Sequence, residues 1–282
     1  MDNLSPLGLR TGCFLRALYV DLRRAVVSSR FLLAVGMMLA WMLGNSVTNI
    51  VIYDFLYVYG IPCTFEQAMV GKDGLGMIVL AMATVPYATG YLTDRESGFD
   101  YNAIKRVGMT AYAVAKVIAV ALSAFLAMVS AAGLFLAGLC FSGAGHIVPG
   151  NGEYLNGAYY DLVVLAGPWF YYLVRIIVSG FTASLASVFS LYVTTLIPNA
   201  YVALLSPLIG YYAYNSIFLG VVSSLTKRAP FLKLFSLQNV MTFLVNQNNV
   251  GFSFVWAVVL LLTMTALCGR GFILRLRKEQ GL

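Results

Sequence analysis

Residues 94–116 hold the densest set of polar side chains between two apolar runs: Asp94, Arg95, Glu96, Asp100, Lys105, Arg106 and Lys116. Acids and bases mixed in this way suit docking by charge complementarity. The patterns of bond-making chemistry are missing from the chain. There is no Gly-x-x-x-x-Gly-Lys-Ser/Thr phosphate loop, so ATP is not bound in the usual way. There is no Gly-x-Ser-x-Gly and no His-Glu-x-x-His, and a single histidine, His146, cannot supply a histidine-based metal cluster. Cys13, Cys63, Cys140 and Cys268 show no close pairing, although Cys63 and Cys140 could both approach one face of the membrane and bond there. No nucleophile–base pair and no acidic dyad falls within an apolar run. The sequence therefore assigns no catalytic residue, no metal ligand and no cofactor of the chain's own.

The elements around this stretch are membrane helices. Hydrophobic residues make up 60% of the chain and charged residues 10%, against roughly 25% in soluble domains. A bilayer core takes roughly 20 helical residues. The 282 residues therefore form one all-α integral membrane domain with spans expected at about 31–53, 74–93, 117–141, 169–195, 200–220 and 251–267. Residues 94–116 become an aqueous loop between spans two and three. Within it, Gly98 and Gly108 bracket a short helix over 99–107. Phe99, Ala103 and Val107 share one side of that helix, and Tyr101, Ile104 and Lys105 lie on others.

Residues 1–30 are too polar and too arginine-rich for a cleaved leader. Wound as a helix, they place Phe14, Leu15, Leu18, Leu22, Ala25 and Val26 on one side and Arg16, Arg23 and Arg24 on the other, the pattern of an interfacial helix along the inner leaflet. Residues 54–73 and 142–168 read as outer loops, the latter with Tyr154, Tyr159 and Tyr160 at headgroup level. Two modest apolar stretches, 221–225 and 231–245, read as outer interfacial helices before span six. Thirteen of the 18 lysines and arginines then lie inside, four lie outside (Lys72, Lys227, Arg228 and Lys233), and Arg175 lies within span four. That bias puts both termini in the cytoplasm. The net charge of +7 is accounted for by this topology and by anionic headgroups, so nucleic acid is not an expected partner.

Several polar side chains fall inside spans. Asn45 and Asn49 make the outer half of span one polar and must face protein or water. Arg175 costs roughly 2.5–3.5 kcal/mol at mid-bilayer. Either it snorkels to the headgroups, or it pairs with an acid or substrate group in a cavity or dimer interface. Pro207 followed by Tyr211, Tyr212 and Tyr214 could line an outer cavity or form an interfacial belt.

Arg95-Glu96-Ser97-Gly98, then Lys105-Arg106, then Lys116 opening span three, set in six spans with an amphipathic N-terminal helix, resembles the permease subunits of ABC transporters of the type-2 exporter class. Ala115 stands where that family tends to carry glycine before the lysine, and Phe99 where threonine is often found. The resemblance implies a cell-membrane protein whose pore forms between two such subunits, as a homo- or heterodimer. It implies separate ATPase subunits that hold ATP and magnesium. It makes 99–107 a coupling helix, with Glu96, Gly98, Phe99, Tyr101, Ile104, Lys105, Arg106 and Lys116 as coupling residues, supported by the arginines of the N-terminal helix. Glu96 would pair with Lys116 or with one of those arginines. Asn45, Asn49, Arg175 and Tyr211 would face the pore or the dimer interface. Two other classes stay open. A secondary transporter would want acids within its spans, where none is expected, and a non-transporting scaffold or immunity protein would need no ATPase.

Overall fold

The computed structural model describes residues 11–52, 55–70, 78–145, 163, 166–225, 235, 240 and 250–279. Among the described residues there is no strand, and ten helices account for nearly all of them. The first is α1 (Thr11–Val26), separated by a bend at Val27 and Ser28 from α2 (Ser29–Ile52). Ser28 ends one helix and starts the next: its Oγ accepts the Phe31 N–H at 3.2 Å, satisfying one of the donors that a helix start leaves unpaired. Then follow α3 (Phe55–Val70), α4 (Ile78–Met82), α5 (Gly90–Glu96), α6 (Phe99–Val107), α7 (Met109–Phe141), α8 (Pro168–Leu196), α9 (Ala200–Leu225) and α10 (Val250–Glu279).

Four helices are long and apolar enough to cross a membrane: α2 over 29–47, α7, α8 and α10 from Gly251. The chain is a membrane-embedded helical protein. These four carry the expected spans 31–53, 117–141, 169–195 and 251–267. The expected span 74–93 is not one helix. Residues 83–89, with Pro86 among them, form a run of turns between α4 and α5. Proline lacks the N–H and clashes with the preceding turn. Ahead of it the ladder tightens to three-residue bonds, Thr84 N–H to Ala81 O at 3.1 Å and Val85 N–H to Met82 O at 3.2 Å. The expected span 200–220 lies in α9, a 26-residue helix that contains Pro207 and is not among the four. The stretch 221–225, expected as a separate interfacial helix, continues α9 instead.

Three further expectations are corrected. Within 54–73, the described residues 55–70 form α3 rather than a loop. From Ile61 to Met69 the chain is helical and almost wholly buried, with Phe65 packed on the rings of Phe135, Tyr171 and Tyr172. The apolar run is too short to span, but a helix satisfies its own backbone and can sit inside the bundle. Second, α7 starts at Met109 rather than 117, and its 33 residues reach about 50 Å against a hydrocarbon core of about 30 Å. Third, α1 turns the expected apolar face inward only in part: Ala25 is buried and Phe14, Leu18, Leu22 and Val26 are half-buried. Leu15 is 60% exposed, whereas Asp21 is buried beside Ala25.

The core sits where α7 and α8 pack against each other, with α10 on α8 and α1 on the start of α7. One end of the bundle gathers α1, α5, α6, the start of α7 and the end of α10. There Arg95 pairs with Glu279 at 3.4 Å, Tyr91 donates to the same carboxylate at 3.4 Å, and Arg277 donates to Thr110 at 3.4 Å. The three segments that the charge bias assigned to one side of the membrane thus meet at one end. His146, Tyr154, Tyr159 and Tyr160, the cations Lys72, Lys227, Arg228 and Lys233, most of 231–245 and the side chain of Asn49 lie outside the described residues.

Candidate functional site

The charged loop folds as its glycines suggest. Gly98 takes φ 67° and Gly108 φ 88°, left-handed values that side chains rarely tolerate, and the nine-residue helix α6 runs between them. Tyr101, Lys105 and Arg106 are exposed, and Lys105 Nζ lies 4.1 Å above the Tyr101 ring. Ile104 differs from the expectation: it is half-buried and packs with Ala103 against the cluster of Tyr87, Tyr91 and Tyr112. Helices of this length are unstable alone. This one is held by that packing and by Arg24, whose guanidinium sits 4.9 Å from the Phe99 ring centre.

Beneath α6 lies a buried ionic cluster centred on Lys116. Its ammonium has three N–H donors. One goes to Asp21 Oδ1 at 3.0 Å, one to Tyr87 Oη at 3.0 Å and one to Asp94 Oδ2. Tyr87 donates in turn to Asp21 Oδ1 at 2.6 Å, and Tyr112 donates to Asp94 Oδ2 at 3.2 Å. Arg24 Nη1 reaches Asp94 Oδ1 at 3.2 Å from the rim. Two carboxylates face an ammonium and a guanidinium, so the formal charges cancel. Lys116, Asp21 and Asp94 are all buried. The cluster thereby ties together α1, the turns before α5, α5 itself and α7. Chemically it is a lock: each charge is satisfied only while all four elements stay in place.

The expected partner of Lys116, Glu96, is exposed, and Asp94 takes that place two residues earlier. The reason is geometric. Lys116 is two turns inside α7 rather than at its start, and Asp94 is on the buried side of α5. Of the N-terminal arginines, Arg24 contacts Asp94 rather than Glu96 and lies over the Phe99 ring; Arg16 and Arg23 are exposed. Sequence reading missed Asp21, Tyr87 and Tyr112 altogether. A signal existed for Asp21: it falls with Leu18, Leu22 and Ala25 at helical spacing, a lone carboxylate on an apolar face.

A second buried pair lies further along the bundle. Arg175 Nε donates to Glu66 Oε2 at 2.9 Å, and Tyr171 donates to the same oxygen at 2.8 Å. Arg175 Nη1 also lies 3.4 Å from Ser179 Oγ. Arg175 is buried and does not snorkel. Its partner is the acid of α3, in the segment expected as an outer loop. Tyr211 is also buried, and half-buried Asn45 donates to Ala68 O at 3.5 Å, so these three face into their own bundle. Cys63 and Cys140 are free thiols. No protein-family model, no curated protein and no solved structure matches the chain, so the functional reading rests on this geometry and on the sequence.

Proposed function

We propose that this chain is the transmembrane permease subunit of an ATP-driven ABC exporter of the type-2 class, working as a homo- or heterodimer in the cell membrane. Both termini and α6 face the cytoplasm, and six spans are completed by the kinked segment 74–93 and by α9. ATP and magnesium belong to separate ATPase subunits. The observation that carries the reading is the combination of an exposed α6 surface with a buried lock behind it. Tyr101, 59% exposed, with Lys105 and Arg106, offers an apolar contact flanked by positive charge. Arg24, Asp94 and Lys116 connect that helix to α7, which crosses the membrane. A partner that binds α6 differently in its two nucleotide states can then bias the position of α7, and only such differential contact shifts a conformational equilibrium.

The test is a photo-crosslinking amino acid at Tyr101 in native membranes. The expected adduct is an ATPase subunit, lost when Lys105→Glu and Arg106→Glu reverse the charge beside the crosslinker. Adducts with lipid alone from a correctly inserted chain would remove the proposal.

One observation favours a second reading. Glu66 and Arg175 form a buried acid–base pair inside the bundle, where sequence reading expected no acid, and such pairs mark ion pathways in secondary transporters. Solute uptake by ATPase-free proteoliposomes, driven by a proton gradient and abolished by Glu66→Gln, would decide for it.

A further inference from the structure

We propose that a cavity at mid-height between α8, α9 and α10 holds the acyl chain of a bilayer phospholipid. The cavity measures about 280 Å³. An apolar cavity of about 150 Å³ already stays dry and takes a benzene-sized guest, so this one has room for a longer hydrocarbon run. Leu185, Phe189, Met264 and Leu267 supply much of its wall, together with Leu80 from α4.

The polar side chains that reach the wall have little left to offer a polar ligand. Thr182 Oγ1 donates to Val178 O at 3.0 Å within its own helix. Tyr214 donates to Phe235 O at 2.6 Å, and Tyr211 is buried with its ring edge-on to Tyr212. Cys268 is a free thiol, a weak donor that behaves as a small hydrophobe. A hydrophilic guest would lose its water and gain almost nothing in return, whereas a methylene chain loses nothing.

Depth selects among apolar guests. The lining residues of α8, α9 and α10 lie at least seven residues, about 10 Å, from the ends of their helices. In a membrane-embedded bundle, the medium at that depth is acyl chain, not headgroup. The mouth is open to it: Leu267 lines the cavity and is 66% exposed. The inference is independent of the proposed transport activity, because its test contains no ATPase and no cargo.

The whole chain is reconstituted in vesicles of palmitoyl-oleoyl phosphatidylcholine. A trace of the same lipid carries a diazirine on its acyl chain, and labelled residues are mapped by mass spectrometry after illumination. Labelling is expected to concentrate several-fold on Phe189, Met264 and Leu267 relative to Leu32 and Leu33, which are exposed on α2. Filling the cavity with Ala186→Trp should abolish that excess and leave labelling of α2 unchanged. Equal labelling of cavity and α2 residues overturns the proposal. So does an excess that survives Ala186→Trp, or one that Thr182→Val removes, which would indicate a polar guest. If Ala186→Trp does not assemble, the map on the unaltered chain decides.

Discussion

The two buried ionic sites solve one problem in different ways. Along α7, the Lys116 cluster lies 19 residues from Phe135, which packs on the α3 residue next to Glu66. At 1.5 Å per residue the sites are about 28 Å apart. Around Lys116 every N–H donor of the ammonium is matched, and the partners come from three other elements. Around Arg175 the acid comes from one element, α3, inside a wall of aromatic rings. The second carboxylate oxygen, Glu66 Oε1, has no hydrogen-bond partner among the described residues. Buried ion pairs cost desolvation that their mutual attraction repays only when the remaining hydrogen bonds are made. The first site meets that condition and binds helices that could otherwise move. The second meets it in part and pins one short helix inside the bundle. The first therefore clamps four elements together, whereas the second anchors one.

Removing Lys116 should break this contrast most severely. Lys116→Met leaves Asp21 and Asp94 buried without a counter-charge in their midst, a loss of about 3–5 kcal/mol. The expected result is collapse of the monodisperse peak in detergent and a lower melting temperature. Adding Asp21→Asn and Asp94→Asn should restore most of the loss, since removing all the charges can be nearly neutral. A triple variant as unstable as the single one would show that packing, not charge, holds this end together.

Arg175→Met comes next. Glu66 then keeps the Tyr171 hydroxyl at 2.8 Å, and one carboxylate rather than two loses its cation, so the loss should fall below that of Lys116→Met. Thermal unfolding compares the two directly. A larger loss for Arg175→Met would reverse the reading of which site is better satisfied. Arg24→Ala should cost less still in stability, about 0–1 kcal/mol, because its side chain is 45% exposed. It should nonetheless increase proteolytic nicking at Gly98 or Gly108 by loosening α6 from α1. Unchanged nicking would mean that Ile104 and Ala103 alone hold α6. Tyr101→Asp should leave the melting temperature unchanged while removing the proposed ATPase contact.

The elements that were legible in the sequence are those with local causes. Gly98 and Gly108 end a helix through their own backbone freedom, and the apolar runs that became α2, α7, α8 and α10 are long enough to declare themselves. Elsewhere local cues misled. Lys116 looked like the polar start of a span because a lysine in an apolar run usually marks one. Its burial depends on Asp21 and Asp94, 95 and 22 residues away. Residues 61–69 looked like part of a loop because they are too few to span, and Pro86 looked like a kink within one helix rather than a break between two.

The amino-acid order by itself thus determined the membrane environment, the all-helical class and the position of α6, since hydropathy, periodicity and glycine conformation act over a few residues. Tertiary structure alone decided which acid meets which base. Ion pairs in a low-dielectric interior are chosen by three-dimensional proximity, and residues such as Glu66 and Arg175, 109 positions apart, carry no mark of each other in the chain.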